Sequence, residues 1–270
     1  MKIALVGPGR AGQAVAIAAN GAGHDVAAVA ARDVRDAEAA ARRFDAVPLS
    51  IGDPIPPVDL VVIAVRDDAI GSVAGQIAPI ARNAAGGVAH LSGAVSISAL
   101  SPFSEHGMAV GSFHPLQTLP TPTLGARRLA GSWIAVTATG SLREDLYGFA
   151  RSMGCHPFDL DDAVRTEYHA AAAAVANFPI ASFAIAQRLF ESAGVPFDAA
   201  RPLVDAIVAN VFDIGPLHAL TGPIARGDTG TVAAQISAVR AVAPDLAGAF
   251  ESMVDATSAV AATSHEEDTP

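Results

Sequence analysis

The sequence predicts an α/β fold, a doubly wound and mostly parallel sheet followed by an all-helical second domain. Three observations carry this. Short apolar runs alternate with helical patterns through residue 160, the first run ends in a glycine-rich turn that opens a helix, and beyond residue 161 only helical pattern continues. The expected divisions are therefore 1–160, 161–262 and a polar tail, 263–270, that frays.

In order along the chain, residues 2–6 form an apolar strand that stops at Gly7, and a helix runs from Arg10 to about Ala22. Asp25–Ala31 reads as the next strand, Val34–Arg43 as a charged, Ala-rich helix, and Leu60–Val65 as a third strand after Pro54, Pro56 and Pro57. A helix over 69–81 precedes a strand at Gly87–Leu91, which ends at Ser92-Gly93. Strands follow at Met108–Ser112 and Trp133–Ala138, then a helix at Leu142–Met153 and a strand at Pro157–Leu160. The helical half reads as 162–193, 197–211, 231–242 and 244–262, with breaks at Gly194-Val-Pro196, Gly215-Pro216 and 221–230.

Composition narrows the function. A hydrophobic share of 51% against 16% charged residues is enough for a core and excludes general disorder. The net charge of −10 argues against a nucleic-acid partner. The single cysteine, Cys155, excludes an intramolecular disulfide framework and a cysteine-based zinc cluster, and no metal site is expected. An apolar strand at the start without a signal-peptide layout, and no uninterrupted span of about 18 strongly apolar residues, point to a cytoplasmic protein without a membrane partner. Only Lys2 is a lysine among 17 cations, and it sits at the end of the first strand away from the cleft.

Gly7-Pro8-Gly9-Arg10-Ala11-Gly12 matches G-x-G-x-x-G between a strand and a helix, the Rossmann arrangement for a dinucleotide. Gly7 makes the tight turn, Gly9 lets backbone approach the pyrophosphate, and Gly12 lets the helix pack closely with its N-terminal amides toward the phosphates. The first 160 residues are thus a dinucleotide-binding domain. At the second-strand tip, Arg32 suits the 2′-phosphate of NADP, while Asp33 reads as a helix cap; NADP is favoured over NAD, although a one-residue register shift would exchange the two.

Ligands in such sheets bind beyond the carboxyl ends of the strands. Val65 closes the third of the strands read with most certainty, ahead of Asp67 and Asp68, which read as helix caps or as backbone contacts to the cofactor. Ser92 faces nicotinamide or substrate, and Phe113-His114-Pro115-Leu116-Gln117-Thr118 follows another strand. His114 is either a proton donor near neutral pH or a structural loop cap, and His90 within its strand is a packed core histidine. In the helical half, His169 approaches from Tyr168-His169. Pro179 kinks the long helix at Asn177, whose polar side chain on a buried-looking face needs substrate, cofactor amide or a neighbouring helix as partner. Arg226 clamps a substrate carboxylate or pairs with Asp228.

With these residues in hand, the chain resembles a family of bacterial Rossmann-fold proteins with a helical C-terminal half of unassigned function. The resemblance rests on residues 7–12, His-Leu-Ser-Gly-Ala at 90–94, Phe-His-Pro-Leu-Gln-Thr at 113–118, Tyr-His-Ala-Ala at 168–171 with Asn177, and Leu-Thr-Gly-Pro-Ile-Ala-Arg-Gly-Asp at 220–228. Its architecture is similar to ketopantoate reductases, β-hydroxyacid dehydrogenases and pyrroline-carboxylate reductases, whose helical domains supply substrate residues and often dimerise. The pattern of the β-hydroxyacid dehydrogenases places a lysine four residues before an asparagine; with Asn177 as that asparagine, the lysine position holds Ala173.

The resulting expectation is an NADP-dependent oxidoreductase for a small keto or hydroxy acid, a 2-ketopantoate-like compound among them. His114 is the donor with His169 as second candidate, Asn177 positions substrate, and Ser92, Gln117 and Arg226 contact it. The alternative is a catalytically silent NADP(H)-binding regulator. A homodimer is expected, because Ala-rich helices permit close approach and the helical half leaves apolar stripes uncovered.

Overall fold

The computed structural model describes residues 1–81 and 84–267. The elements, in chain order, are β1 (Lys2–Val6), α1 (Arg10–Gly21), β2 (Asp25–Ala31), α2 (Val34–Ala41), β3 (Val47–Ser50), β4 (Val58–Ile63), α3 (Ile70–Ala81), β5 (Ala85–His90), α4 (Ser101–Ser104), β6 (Ala109–Pro115), α5 (Pro122–Leu129), β7 (Trp133–Ala138), α6 (Leu142–Ser152) and β8 (His156–Asp159). The helices α7 (Arg165–Ala176), α8 (Phe178–Ser192), α9 (Arg201–Ala219), α10 (Thr229–Val242) and α11 (Ala247–Glu267) follow.

Among the described residues the strands form one sheet in the order β3-β2-β1-β4-β5-β6-β7-β8. Every neighbouring pair is parallel except β6 and β7, which run antiparallel. The central strands carry near-continuous apolar runs because both faces are covered. On one face Val15 of α1, Ala37 of α2 and Leu146 and Phe149 of α6 pack over the sheet; on the other Ile70 and Ile77 of α3 and Phe103 of α4 do so.

Three details differ from the sequence expectation. Val47–Ser50, read as loop, adds an edge strand beside β2, where Pro48 is tolerated. Pro122–Leu129 forms a helix that the sequence reading passed over; Thr121 caps it with an acceptor oxygen for Leu124 N, and Gly125 rests against Ala14 of α1. Thirdly, β6 continues to Pro115 through its antiparallel pairing with β7, so His114 lies inside a strand and not after one.

The chain divides into two compact units, Met1–Ala172 and the remainder from Ala173. The first unit therefore takes in the start of α7, twelve residues beyond the boundary expected at 160. The single long helix expected over 162–193 breaks at Asn177, with Pro179 in the first turn of α8. Gly215, at φ +82°, bends α9 where the Gly-Pro pair predicted a stop. Of the tail read as frayed, α11 takes in the backbone through Glu267, and residues 268–270 lie outside the described residues.

The second unit has a small core of its own, three fully buried residues (Ile185, Val239 and Ala243) with partly buried neighbours such as Leu189 and Phe250. Large apolar side chains stay exposed on it, among them Val175, Phe178, Ile180, Leu203, Ile207 and Phe212, the last at 82%. Among the described residues one helical run, Asp162–Ser192, is long and apolar enough to cross a membrane by length and composition; 6% of its most apolar window is buried.

Candidate functional site

The glycine turn is built as its spacing implies. Gly7 leaves β1 at φ +92°, donates its N–H to Ala30 O at 2.8 Å, and sits so close to β4 that a Cβ would stand 2.8 Å from Val65 Cγ1 and 2.9 Å from the Ala64 carbonyl. A Cβ on Gly12 would lie 2.5 Å from Gly7 O, so α1 packs on the turn only with glycine there. Gly9 is different. Its missing Cβ would meet nothing of the chain nearer than Ala64 O at 3.9 Å. Internal packing explains Gly7 and Gly12 and leaves Gly9 open on the outer side, where the pyrophosphate of a dinucleotide would come. Gly9 caps α1 without a side-chain acceptor, and the first turn holds no acidic residue, so amide donors and the positive end of the helix dipole remain available to an anion. Gln13 Nε2 donates to Pro8 O at 2.7 Å and braces the loop. Arg10 and Ala11 follow in the first turn of the helix, Arg10 exposed.

At the tip of β2 the two neighbours Arg32 and Asp33 separate. Asp33 is the N-cap of α2, accepting from Arg35 N at 3.0 Å, and the Arg35 guanidinium closes on the same carboxylate at 2.6 Å. That side-chain contact holds Asp33 below the usual carboxylate range. Arg32 is exposed and, among the described residues, has no hydrogen-bond or ion-pair partner. The residues present fit NADP: an open glycine loop, an unpaired arginine at the strand tip, and an acidic neighbour already engaged.

A buried polar layer crosses the sheet from the carboxyl end of β5 through the middle of β6 to Thr137 of the antiparallel β7. Among the described residues, four of the five buried polar ones, His90, Ser92, Ser112 and Arg165, belong to it. Ser112 and Thr137 are register partners, as are His90 and Ser112, so the three form one row across the sheet. Arg165, 2% exposed, spans the row: Nη2 donates to Ser112 Oγ (2.7 Å) and Thr137 Oγ1 (2.6 Å), Nη1 to Ser92 O (3.4 Å), and Nε to Asp162 (2.8 Å). Asp162 also accepts from Ser96 Oγ and Ile97 N. Burial works to raise the Asp162 carboxyl, but these donors outweigh it and hold it below the usual range. The sequence analysis does not single out this clamp: Asp162 and Arg165 at i, i+3 are a spacing common to exposed helix pairs, and the acceptors lie on distant segments.

Two residues further along β6 from Ser112, on the same face, stands His114. Its Nδ1 is 2.7 Å from the Tyr168 hydroxyl, the two rings meet edge to face, and the His169 ring lies 6.2 Å away. Gly93 passes directly over the imidazole; a Cβ there would reach 2.7 Å from Cε1 and Nε2. Burial first, then the charge fields of His169 and Arg165, push His114 down to about 4, so at neutral pH it is an uncharged imidazole. Burial raises Tyr168 to about 12 against an opposing pull from Arg165. The sequence leaves His114 open between a proton donor near neutral pH and a structural loop cap; the structure holds it as a neutral imidazole bonded to the Tyr168 hydroxyl.

The other expected residues are placed as follows. Ser92 Oγ accepts from Ala94 N and Val95 N, which shapes the loop over His114. His90 is fully buried, as expected, with Nδ1 taking the Ser92 N–H. Gln117 is occupied locally, bonding Thr118 N and Arg128 O. Asn177 and Arg226 belong to the second unit, and both are exposed. Asn177 therefore needs no buried partner, contrary to expectation: the Ala-rich surroundings that suggested a buried face are themselves open. Arg226 forms no ion pair with Asp228, whose carboxylate instead caps α10 through Thr231.

Residues 1–115 match the Rossmann-like domain family, and residues 132–257 match a family described as a domain of unknown function, DUF2520. The DUF2520 segment opens one residue before β7, so it includes the reversed strand as well as the helices. No curated protein matches the sequence. Among solved structures, a provisionally assigned NADP oxidoreductase of Bacteroides fragilis aligns at 22% identity over 95% of this chain and 97% of its own, with a TM-score of 0.81. The 1-pyrroline-5-carboxylate reductase of Streptococcus pyogenes aligns at 18% over 96% and 98% (TM-score 0.61), and the imine reductase of Streptomyces aurantiacus at 16% over 97% and 99% (TM-score 0.66). At these identities the likeness establishes the fold.

Proposed function

We propose that the protein is an NADP-dependent oxidoreductase acting at a carbonyl carbon, or its imine counterpart, in a small molecule, with keto and hydroxy acids of 2-ketopantoate type as the first compounds to try. The observation that carries this reading is the His114–Tyr168 pair, set under the 92–95 loop at the strand ends of a domain whose glycine turn is open to a dinucleotide. The names of the structural neighbours, an NADP oxidoreductase and two reductases, support it. Gly7 through Gly12 and Val65 would hold the cofactor's pyrophosphate end, Arg32 its 2′-phosphate, and Ser92 its nicotinamide side.

The bound cofactor supplies or accepts the hydride. The chain's own residues manage the proton. With Tyr168 donating its O–H to His114 Nδ1, the imidazole keeps its proton on Nε2 and presents it to the developing negative charge on the substrate heteroatom; as Nε2–H is given up, the tyrosine proton moves to Nδ1. His169 stands close enough to take part in resupplying the pair. Asn177 and Arg226 serve as the substrate-positioning and carboxylate-binding candidates of the helical half, and Gln117 as a further contact. A homodimer completes the proposal: a second copy covers the apolar side chains of α7–α9 that the thin core of the second unit leaves exposed.

The test is NADPH oxidation by the intact chain, followed with a panel of 2-keto acids and cyclic imines. His114→Ala is expected to lose about 10²–10⁴-fold in turnover while NADPH affinity holds. Absence of NADPH binding, or near-normal turnover of His114→Ala on a found substrate, overturns the reading.

A further inference from the structure

The proton pair does not hold itself in place. Tyr168 and His169 sit three and four residues after Arg165 on α7, one helical turn beyond it and on the same side. Arg165 is the residue that ties this turn to the sheet. Its guanidinium reaches three separate segments, the 92 loop, β6 at Ser112 and β7 at Thr137, while Asp162 from its own segment fastens the 96–97 turn. Each of those acceptors is fixed by strand pairing or by the polar row, so the root of α7 has one seat. The Tyr168 hydroxyl then lands on His114 Nδ1.

The charge of Arg165 acts in one sense on both members of the pair. It disfavours a proton on the imidazole and favours release from the phenol. The other groups facing His114 are His90 from β5 and His169 from α7, which act with Arg165, Asp67 from the turn after β4, which opposes it, and Tyr168, which bonds it. A lysine would carry the charge without the planar fork that engages Ser112, Thr137 and Asp162 together.

We propose that Arg165 is the positioning residue of the His114–Tyr168 pair: its buried guanidinium sets the first turn of α7 on the polar row of the sheet so that Tyr168 meets His114, and its fixed charge drives proton release from the pair. This rests on the reading of that pair as the proton-handling site, yet its test needs neither substrate nor cofactor.

The experiment follows the histidine ring nitrogens of the intact chain by NMR as a function of pH, in wild type, Arg165→Met and Arg165→Lys, with His114 assigned through His114→Ala. Wild-type His114 is expected to titrate near 4. In Arg165→Met the midpoint is expected to rise above the wild-type value, and the Nδ1 signal to lose the signature of its bond to Tyr168. Arg165→Lys restores the midpoint in part and the Nδ1 signature not at all. A folded Arg165→Met chain with unmoved His114 titration and unmoved Nδ1 signal overturns the proposal. Ser112→Ala removes one acceptor from the fork without touching the charge, and serves if Arg165→Met does not fold. It is expected to disturb the Nδ1 signal and leave the midpoint near 4, and an undisturbed Nδ1 signal in Ser112→Ala overturns the proposal equally. NADPH affinity, measured on the same samples, reports separately on the oxidoreductase reading.

Discussion

Replacing His90 by asparagine should flatten the acid side of the stability curve. His90 is fully buried, and burial first, then the Arg165 charge, pushes its ring from 6.5 to about 4. Its Nδ1 accepts from Ser92 N, so its neutral form carries the proton on Nε2. Above pH 6.5 neither the folded nor the unfolded ring takes a proton, and pH has no effect through this group. Below 6.5 the unfolded chain binds a proton that the folded chain refuses, so stability falls as pH falls, until the folded ring also titrates near 4. The full effect is about 3 kcal/mol, and the slope in between is about 1.4 kcal/mol per pH unit. His114, likewise pushed to about 4, adds a similar slope of its own, and the low-lying carboxylates such as Asp162 begin to matter only toward the bottom of the window. In His90→Asn the side-chain oxygen can still take the Ser92 N–H, but nothing titrates. The assay is urea unfolding at a series of pH values from 7.5 to 4.5, read by the fluorescence of Trp133, the single tryptophan, which lies in the same unit as His90. Wild type should lose stability faster than His90→Asn by about 1.4 kcal/mol per pH unit between roughly pH 6 and 4.5. Parallel curves for the two chains would refute the reasoning.

Titration calorimetry should find NADPH bound about 10- to 150-fold less tightly by Arg32→Ala than by wild type with NADH affinity unchanged, and equal wild-type affinities for the two cofactors would contradict the assignment. Gly9→Ala should fold with an unshifted melting temperature yet bind cofactor poorly, since its Cβ meets only open space in the chain itself; Gly12→Ala, with a Cβ 2.5 Å from Gly7 O, should lose both melting temperature and binding. Sedimentation should show a dimer at micromolar concentration, and Phe212→Glu on α9 should shift it toward monomer with its sheet unit still folded; a wild-type monomer would remove the need for a covering copy.

What could be read from the sequence was what is decided locally. The glycine turn, the runs at 2–6 and 25–31 and the cap at Asp33 each depend on a few adjacent residues, and each stands where it was expected. What was missed depends on pairing. Nothing in Ala109–Pro115 tells that β7 returns antiparallel beside it, so the strand was ended before His114. Arg165 shows its acceptors only when segments 28 to 73 residues away fold beside it, and Tyr168 gains its partner from β6 in the same way. Asn177 failed for the opposite reason: an Ala-rich helix looks buried by composition, whereas this unit keeps much of its apolar surface in the open.

The reversal of β7 fixes the route of the chain. Because β7 and β8 both run opposite to β6, the backbone leaves β8 level with Phe113 and heading away from His114, and the start of α7 must climb back to reach it. The climb takes it past His114. A parallel β7 would have released the chain already at the cleft, with its next helix heading outward and no tyrosine laid against that histidine. One antiparallel pairing at the margin of the sheet thus goes with a helix whose first turns come back against the sheet at His114.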